Sequence, residues 1–538
     1  MRIAIITTPT RSRSPNYSVP LGAIYLAAYV ERLGHEVVVF DAARFRWPRE
    51  KLCELVAAFK PDVIGISAII TAYRYVIDIS KALKAALPHT PIVLGGHITI
   101  NNDALCFAHM AVDYLIHGYG EIAFEKLLDH LAGTYPIENI PGVSRRLGPG
   151  FCANPGRDYV EDINTLPLPA YHLVDYAHYQ DINSRDAYLL PYLERIGATL
   201  GDAKARVGGL LVALGCTGRC AFCVHEQEYV GIKYFNMDYV ERHIRHLYGV
   251  YGCRVLGIGE EMAFSNMKRV REFCALIRER FPDVYWEAAT RATYISPEMI
   301  AELERSNCYA VRYGFESGSD RILTIMQKGV TGAQNVRAAQ LAGQSLMTLA
   351  VSAMVGNVGE TGETIAETEA AIRQANLGMT TGVFFTTPYP GGRIWDWAVE
   401  RGLIADVHAY LLDISNRDAG DFRVNLTEYP GWIVKLWHER IGRAIRNTPA
   451  SLAQCPPVQP AGLREKWRTW KMEAAYRFKL ALAGLYCGLY DRLKRRFPGL
   501  IGRSRAFATD KRGALLPRNL ILGRPQRSRT AAPAEPSR

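Results

Sequence analysis

The sequence predicts an α/β protein in which an N-terminal doubly wound parallel sheet is followed by a partial (β/α)6 barrel and a helical C-terminal extension. Three observations lead to this prediction. Five short apolar runs alternate with amphipathic stretches over about the first 130 residues. Six more strand and helix units follow between residues 206 and 400. The chain then ends in a basic segment that is rich in aromatic residues and has helical spacing.

The first domain, predicted over residues 1–140, has the alternation of a Rossmann-like fold. Segments such as AIYLAAYVERLG and VIDISKALKAAL repeat apolar residues every three or four positions, as amphipathic helices do. The apolar runs between them have the length of buried strands. These runs are RIAIIT, EVVVFDA, DVIGISAII, PIVLGG and VDYLIHG.

Two glycine-containing segments follow the fourth and fifth predicted strands. They are Gly95-Gly96-His97 and Gly118-Tyr119-Gly120-Glu121. In a doubly wound sheet, ligands bind at the carboxyl ends of the strands. These glycines therefore either make tight turns only or belong to a binding site, and their position leaves both alternatives open.

Three further regions complete the predicted organisation. Residues 141–205 are predicted to be a linker, because Pro, Gly and polar residues replace the periodic pattern. Residues 206–400 are predicted to form the partial barrel, with its site at the carboxyl ends of the strands by analogy with full barrels. Residues 401–538 are predicted to be helical, with a basic and partly disordered tail. The six predicted barrel strands are LLVALG, RVLGIG, VYWEAAT, AVRYGFE, TLAVSAMVG and GVFFTTPYP.

The positive charge is concentrated near the C-terminus. The whole chain carries a net charge of +11, whereas residues 461–538 contain 19 Lys and Arg against 5 Asp and Glu, a net charge of +14. Residues 1–460 therefore carry −3, and the main body offers no electrostatic reason to bind nucleic acid. The 11 cysteines are scattered and the chain starts with a strand pattern instead of a signal segment. We therefore expect a cytoplasmic protein with reduced thiols.

Cys216, Cys220 and Cys223 stand within eight positions of one another, directly after the first predicted barrel strand. A structural zinc site usually takes four ligands in two pairs, and no second pair is nearby. A disulfide would leave one thiol over. An ordinary loop with cysteines clustered by chance is another alternative. An iron–sulfur cluster held by three thiolates would leave one iron open to a substrate or cofactor.

The C-x3-C-x2-C spacing, with the aromatic Phe222 before the third cysteine, resembles the signature of the radical S-adenosylmethionine (SAM) enzymes. This resemblance implies that Cys216, Cys220 and Cys223 hold a 4Fe-4S cluster. It also implies that the open iron chelates the methionine part of SAM and prepares it for cleavage to a 5′-deoxyadenosyl radical. Phe222 is then a candidate contact of SAM.

Other segments support the resemblance. GFESGSDRIL resembles the fourth-strand element of these enzymes, which implies that Glu316 meets the ribose or the amino group of SAM. GIGEE is a looser match to the second-strand element, and makes Glu260 and Glu261 candidates for contact with the methionine amino group. MVGNVGETGET and TTPYPGG resemble the fifth- and sixth-strand loops of the cobalamin-dependent branch. Arg291, after the third strand, could pair a carboxylate, but a solvated side chain is favoured.

The first domain and the LPLP element of the linker resemble the cobalamin-binding part of the same branch. The resemblance implies a cobalamin site at the strand ends, whose candidate residues are Gly95, Gly96, His97, Gly118, Gly120 and Glu121. His97 could equally satisfy a loop carbonyl, and Glu121 could simply cap the following helix. No histidine stands in an Asp-x-His-x-x-Gly motif, so the cobalt is expected to lack a histidine ligand from that motif.

Residues 464–498 leave two alternatives open. Their Lys, Arg, Trp, Tyr and Leu residues suit a basic amphipathic helix lying on an anionic membrane surface. The same residues suit a helix that packs on the barrel with its charges in water, which is slightly favoured. The longest uncharged run, LALAGLYCGLY, is far shorter than the about 20 apolar residues needed to span a bilayer.

The resemblance as a whole implies a cobalamin-dependent radical enzyme, and a methyltransferase acting on an unactivated carbon of a small molecule or lipid is favoured. Such an enzyme would use two SAM molecules per turnover, one to methylate the cobalt and one to form the radical. It would also need an electron donor such as flavodoxin or ferredoxin. A radical cyclase or rearrangement enzyme with the same cofactors is an alternative. A cobalamin- or cluster-binding sensor without turnover is another.

Overall fold

The computed structural model describes residues 1–10, 18–181, 186–201, 206–224, 231–259, 262–415, 421–454 and 463–496. The strands are β1 Arg2–Thr7, β2 Glu36–Asp41, β3 Val63–Ser67, β4 Ile92–Gly95, β5 Tyr114–Ile116, β6 Val143–Leu147, β7 Gly150–Ala153, β8 Val207–Leu210, β9 Ala213–Cys216, β10 Gly231–Tyr234, β11 Val255–Ile258, β12 Tyr285–Ala289, β13 Cys308–Glu316, β14 Thr348–Val355 and β15 Gly382–Phe385.

The helices are α1 Leu21–Arg32, α2 Ala42–Phe45, α3 Arg49–Phe59, α4 Tyr73–Ala86, α5 Asp103–His109, α6 Glu121–Leu131, α7 Tyr176–Tyr179, α8 Asp186–Arg195, α9 Met237–Val250, α10 Met267–Arg280, α11 Pro297–Glu304, α12 Asp320–Ile325, α13 Gly332–Gly343, α14 Gly362–Ala375, α15 Arg393–Glu400, α16 Val407–Ile414, α17 Gly431–Arg446, α18 Pro449–Gln454 and α19 Leu463–Arg496.

The N-terminal sheet has the strand order β2-β1-β3-β4-β5-β6-β7. Strands β1 to β5 are parallel, and each lies within one of the five predicted apolar runs. After β1 the chain adds β2 on one side of it and then β3, β4 and β5 on the other side. The strand order therefore switches between β1 and β3, and a doubly wound sheet has its ligand crevice at such a switch point. The predicted doubly wound parallel sheet is therefore confirmed.

The segment after residue 140 is closely attached to both domains. Strands β6 and β7 add to the first sheet in antiparallel pairing, so the sheet extends to Ala153, within the predicted linker. Farther on, the Ala170 N–H donates to the Ile24 carbonyl at 3.0 Å. The Tyr171 hydroxyl donates to the Gly209 carbonyl at 2.8 Å. These bonds tie the segment to α1 on one side and to β8 on the other.

The second sheet contains six parallel strands in the order β8-β11-β12-β13-β14-β15. The strands follow chain order from one edge to the other, as in a barrel that has not closed. The predicted partial (β/α)6 barrel is thus confirmed, with helices joining its strands.

The first predicted barrel strand, LLVALG, is wrong in one respect. Of the LLVALG run, only Leu210 belongs to the sheet, as the last residue of β8. The chain then leaves the sheet. Residues Ala213–Cys216 form β9, which pairs antiparallel with β10 in a separate ribbon. Val212 and Ala213 are fully buried beyond the sheet edge, so the apolar run continues through the break and hides it.

The C-terminal helices pack on both domains. Helix α16 lies on α4, where the Tyr73 hydroxyl and Nδ1 of His408 are 3.0 Å apart. Helix α17 packs on α14 and β15, and α19 packs in turn on α17. In the part of the chain that the structure describes, no helix is both long enough and apolar enough to cross a membrane.

We predict that His243 makes the protein less stable as the pH falls. His243 of α9 is fully buried, its Nε2 lies 2.7 Å from the Tyr171 hydroxyl, and burial lowers its pKa from 6.5 to about 3. Below pH 6.5 the His243 side chain binds a proton in the unfolded chain, whereas in the folded chain it becomes protonated only near pH 3. Stability should therefore fall by about 1.4 kcal/mol per pH unit in this window because of this group alone.

The test compares urea unfolding of the wild type and His243→Gln between pH 7 and pH 4. Glutamine keeps a hydrogen-bond donor but does not titrate, so the variant should be less stable at pH 7 and should show a flatter pH profile. Parallel profiles for the two proteins would contradict the prediction.

Candidate functional site

The three predicted cysteines lie at the end of β9 and in the loop that follows it. The structure gives all three as thiols outside any disulfide; Cys216 ends the strand and Cys220 is buried. The Gly218 N–H donates to the Cys216 sulfur at 3.3 Å. A Cβ on Gly218 would lie 3.3 Å from the Cys216 sulfur and 3.7 Å from the Cys220 sulfur. Gly218 therefore leaves space beside two thiols that share one side of the loop.

Two backbone hydrogen bonds of Ala221 hold this loop in place. The Ala221 N–H donates to the Met326 carbonyl at 2.7 Å, and the Ala221 carbonyl accepts from the Ile394 N–H at 2.9 Å. Met326 follows α12, which comes after the GFES segment, and Ile394 is the second residue of α15, after the PYPGG segment. The structure thus brings three separately recognised segments of the sequence together.

Glu316 stands at the carboxyl end of β13 and points back over the strand. Its backbone has a φ of +57°, an unusual conformation for a non-glycine residue. Its carboxylate accepts from Lys328 Nζ at 2.8 Å and from the Ser352 hydroxyl at 3.2 Å. A Cβ on Gly314 would lie only 1.9 Å from a Glu316 carboxylate oxygen. The glycine is therefore required for the carboxylate to fold back in this way.

Lys328 links Glu316 to the cysteine loop, and sequence analysis missed it. Its Nζ lies 5.6 Å from the centre of the Phe222 ring. Burial lowers the pKa of Lys328, but the negative charges of Glu316 and Cys220 outweigh burial and raise this pKa overall. Helix α12 separates Lys328 from Glu316 in the sequence. No sequence spacing predicts a contact between two residues on either side of a helix.

The expectation that Arg291 is solvated is wrong. Arg291 is half-buried, and its Nη1 lies 4.0 Å from the Cys220 sulfur. A Cβ on Gly218 would lie 2.5 Å from this nitrogen, so the guanidinium occupies the space that the glycine leaves. Burial raises the pKa of the Cys220 thiol, and the positive charges of Lys328 and Arg291 oppose that rise. Two cations thus face Cys220, the buried member of the three cysteines.

The surroundings of the cysteines suit an iron–sulfur cluster better than a single ion. Within the described ranges, no three His, Cys, Asp or Glu side chains are arranged to hold one metal ion. The thiolates of a cubane each bind a different iron, so they need not converge on one point. Three free thiols on one anchored loop, with Arg291 and Lys328 opposite, match the anionic charge of such a cluster.

A buried ion pair lines the concave face of the half-barrel and was not predicted. Alternate residues of a strand face opposite sides of a sheet, and Trp286 and Phe315 belong to the core on the outer side. Glu287, fully buried on the other face of β12, lies with its Oε2 3.3 Å from Arg312 Nε on β13. The Arg312 guanidinium also donates to the Ile258 carbonyl at 3.0 Å. The concave face is therefore polar near the strand ends.

Three further acids follow barrel strands, and of these only Glu260 and Glu261 were predicted as candidates. Glu260 and Glu261 lie outside the described residues. Glu360, in the segment after β14, is buried and accepts from the N–H groups of Gly356 and Asn357. Burial raises the pKa of Glu360 to about 7. Its carboxylate thus closes its own loop.

The candidate cobalamin residues gather at one edge of the first sheet. His97 starts a short 3-10 turn directly after β4, and Gly120 precedes the first residue of α6, Glu121. Gly96 has a φ of +91°, and a Cβ there would lie 2.5 Å from the Ala68 carbonyl oxygen.

Two further candidates at this edge differ in the space around them. Gly118 has a φ of +79° and packs near Arg157 and Tyr159, while a Cβ on Gly95 would meet open space. The Glu121 carboxylate is shielded from water, and this desolvation raises its pKa.

The strand-end edges of the two domains meet. Val19 and Leu21, at the start of α1, lie at the carboxyl edge of the first sheet. A Cβ on Gly209 of β8 would lie 3.0 Å from the Val19 side chain, and a Cβ on Gly259, just after β11, would lie 3.9 Å from the Leu21 side chain. The glycines allow the two edges to approach closely. A ligand at one edge would thus be next to the other.

Comparison with known families matches two domains. The B12 binding domain family matches residues 8–128, and the radical SAM superfamily matches residues 210–372. The first range lies in the doubly wound sheet, and the second covers the cysteine loop and most of the half-barrel.

Two curated proteins and one solved structure are similar to the chain over most of its length. An uncharacterized methyltransferase of Pyrococcus horikoshii is 26% identical, covering 75% of this chain and 84% of its own. The anaerobic magnesium-protoporphyrin IX monomethyl ester cyclase of Rubrivivax gelatinosus is 23% identical, covering 73% and 68%. The radical SAM methyltransferase TsrM of Kitasatospora setae, solved with cobalamin and a [4Fe-4S] cluster, has a TM-score of 0.58 at 17% identity, covering 75% of each chain. This last similarity shows the fold.

We predict that Gly96→Ala destabilises the first domain while Gly95→Ala does not. At residue 96 the added methyl group would lie 2.5 Å from a backbone oxygen, and the alanine would have to keep a positive φ. At residue 95 the methyl group would meet open space. The expected loss at residue 96 is about 1–3 kcal/mol. Thermal unfolding of both variants tests this, and equal stabilities would contradict it.

We predict that Lys328 and Glu316 are energetically coupled. Their side chains are 12% and 7% exposed, so Lys328→Met would leave a buried carboxylate without its cation. That loss should cost about 3–5 kcal/mol. Lys328→Met/Glu316→Gln should cost clearly less than the sum of the two single substitutions. Urea unfolding of the four proteins measures the coupling, and additive costs would refute it.

Proposed function

Because the chain belongs to the radical SAM enzymes that carry a B12 binding domain, we propose that it is a methyltransferase acting on an unactivated carbon of a small molecule or lipid. The anchored cysteine loop carries this proposal, since it lies beside a strand-end carboxylate where the two domains meet. The name of the similar Pyrococcus horikoshii protein supports methyl transfer.

We propose that Cys216, Cys220 and Cys223 hold a 4Fe-4S cluster. When bound, the cluster supplies the electron that cleaves SAM, and cobalamin carries the methyl group. The chain's part is to keep the three thiolates on a fixed loop and to balance their charge with Lys328 and Arg291. The half-buried Phe222 shields the same loop from water.

The proposed SAM contacts lie around Glu316. Its carboxylate is already oriented by Lys328 and Ser352, so it can accept hydrogen bonds from ribose hydroxyls or from an ammonium without rearranging the strand. Lys328 is a cation within the same group and can receive the carboxylate of the methionine part. Glu260 and Glu261 remain candidates for the amino group.

The proposed cobalamin contacts are the residues at the strand ends of the first sheet, Gly95, Gly96, His97, Gly118, Gly120 and Glu121. Gly95 borders open space and thus leaves room for a ligand beside the backbone. Desolvation raises the pKa of Glu121, whose carboxyl group stands at the start of α6.

Oxidative cyclisation with the same cofactors is a second candidate function. It is favoured by the similar cyclase of Rubrivivax gelatinosus. The two functions differ in the product, because methyl transfer adds one methylene to the mass of the substrate and cyclisation does not. The sensor alternative is set aside, because the family and the named relatives are enzymes.

The finer expectations about partners and location are proposals too. The cleavage of SAM needs a low-potential electron, and we propose flavodoxin or ferredoxin as its source in the cytoplasm. A peripheral contact with the membrane, predicted from the basic C-terminal region, would use α19.

We predict two nucleoside products from the holoenzyme. Protein produced with cobalamin and purified without oxygen should convert SAM to 5′-deoxyadenosine and S-adenosylhomocysteine when a strong reductant is added. Mass spectrometry of the products tests this. Deoxyadenosine alone would favour cyclisation or rearrangement, and neither product from cluster-loaded protein would contradict the proposed enzyme.

The variant Cys216→Ala should lose most of the bound iron and all 5′-deoxyadenosine formation. Cys152→Ala is the matched control, because Cys152 is also a half-buried free thiol but lies in the first sheet, and it should keep its iron. An unchanged iron content in Cys216→Ala would remove the basis of the cluster assignment.

A further inference from the structure

Helix α19 has two faces, and only one of them packs on the rest of the fold among the residues that the structure describes. On the inner face, Tyr476, Ala483 and Cys487 are buried. The Arg443 guanidinium of α17 stacks over the Tyr476 ring at 3.7 Å, and Cys487 lies against Gly362 at the start of α14. The inner face therefore anchors the helix to the half-barrel.

The outer face carries an apolar stripe, which we define as Phe478, Leu482, Leu485 and Leu489. These side chains are between 49% and 74% exposed. Their spacing of four, three and four residues places them on one side of the helix. Large apolar side chains scattered singly on a surface need no explanation, but a contiguous stripe marks an interaction surface.

Between residues 471 and 496, both acids of α19 face the body, as does Lys494, which pairs with Glu428. The exposed Lys479 and Arg492 lie beside the stripe. Glu473 pairs with Arg443 and Arg477, and Asp491 accepts from the Tyr429 hydroxyl. Between residues 471 and 496 there are seven Lys and Arg, and these are the only two acids. The outer side of the helix is therefore apolar and positively charged.

Aromatic side chains extend this surface onto a second helix. Trp432 of α17 is 45% exposed, and its ring centre lies 6.5 Å from that of Tyr486 on α19. Tyr486 in turn stacks with Tyr490. Tryptophan and tyrosine are enriched where one end of a side chain is apolar and the other meets water, as at a membrane surface.

We infer that the outer face of α19 docks the protein on an anionic lipid bilayer. The stripe lies on a single convex helix and extends about 17 Å from Phe478 to Leu489, a shape that fits a flat, fluid surface. The leucines and Phe478 would enter the boundary between headgroups and acyl chains, and Lys479 and Arg492 would meet lipid phosphates.

Charge argues against a second copy of the chain as the occupant. Two α19 helices joined through their stripes would bring their Lys and Arg residues together, and like charges repel at that distance. An anionic bilayer supplies the opposite charge. The docking does not depend on methyl transfer, because no residue of the stripe belongs to the cysteine loop or to the strand ends.

The test is sedimentation of the full-length protein with lipid vesicles. Vesicles with 30% phosphatidylglycerol in phosphatidylcholine should bind it, and phosphatidylcholine alone should bind it far less. Leu485→Ser/Leu489→Ser should lower the partition into anionic vesicles about tenfold or more, because two inserted side chains are lost. Lys479→Glu/Arg492→Glu should weaken the preference for anionic lipid, and salt should do the same.

The matched control is Val250→Ser/Leu452→Ser. These apolar residues are 65% and 61% exposed but lie on other helices, so their removal should leave vesicle binding unchanged. Equal melting temperatures of the variants would show that the fold is intact. Should the stripe variant not fold, the charge variant still tests the inference.

Several outcomes would overturn the inference. The wild type could stay unbound, could bind neutral and anionic vesicles equally, or could bind equally well with and without the stripe leucines. Light scattering measures the oligomeric state of the same proteins. A dimer that the stripe substitutions convert to a monomer, without vesicle binding, would assign the face to a second copy.

Discussion

The candidate site depends on the two backbone hydrogen bonds of Ala221. A loop with three cysteines has little structure of its own, because Cys and Gly side chains make few contacts. Here the residue between Cys220 and Phe222 is fully buried and is bonded on one side to Met326 and on the other to Ile394. A shift of either partner would move the thiols, so their positions depend on the half-barrel being correctly folded.

The same anchoring explains why charge can be buried at this place. Glu316, Lys328 and Arg291 come from three different parts of the half-barrel, and each would be costly to bury alone. Together they form a chain in which Lys328 contacts Glu316 and faces the cysteine loop, while Arg291 reaches the Cys220 sulfur. Such a group is stable only if its members are held at fixed separations, which the strand ends provide.

Local patterns predicted most of the fold but only part of the site. The apolar runs identified β1 to β5 and β11 to β15, because buried parallel strands consist mostly of apolar residues. The same property hid the break between β8 and β9, since Leu210 before the break and Val212 and Ala213 after it are all buried. The cysteines are visible as a spacing, whereas Lys328 and Arg291 reach them only through the tertiary fold. No periodicity encodes that contact.

The environment of helix α19 is a second feature that the sequence alone could not predict. Its apolar residues serve two purposes, with Tyr476 and Cys487 turned to the body and Leu485 and Leu489 turned outward. A helix that is apolar on two sides has no single apolar stripe, so its pattern could not decide between packing and membrane contact. Because Glu473 and Asp491 are used in anchoring the helix, its exposed side becomes basic only after folding. Packing on the barrel therefore creates the basic, apolar surface and does not compete with it.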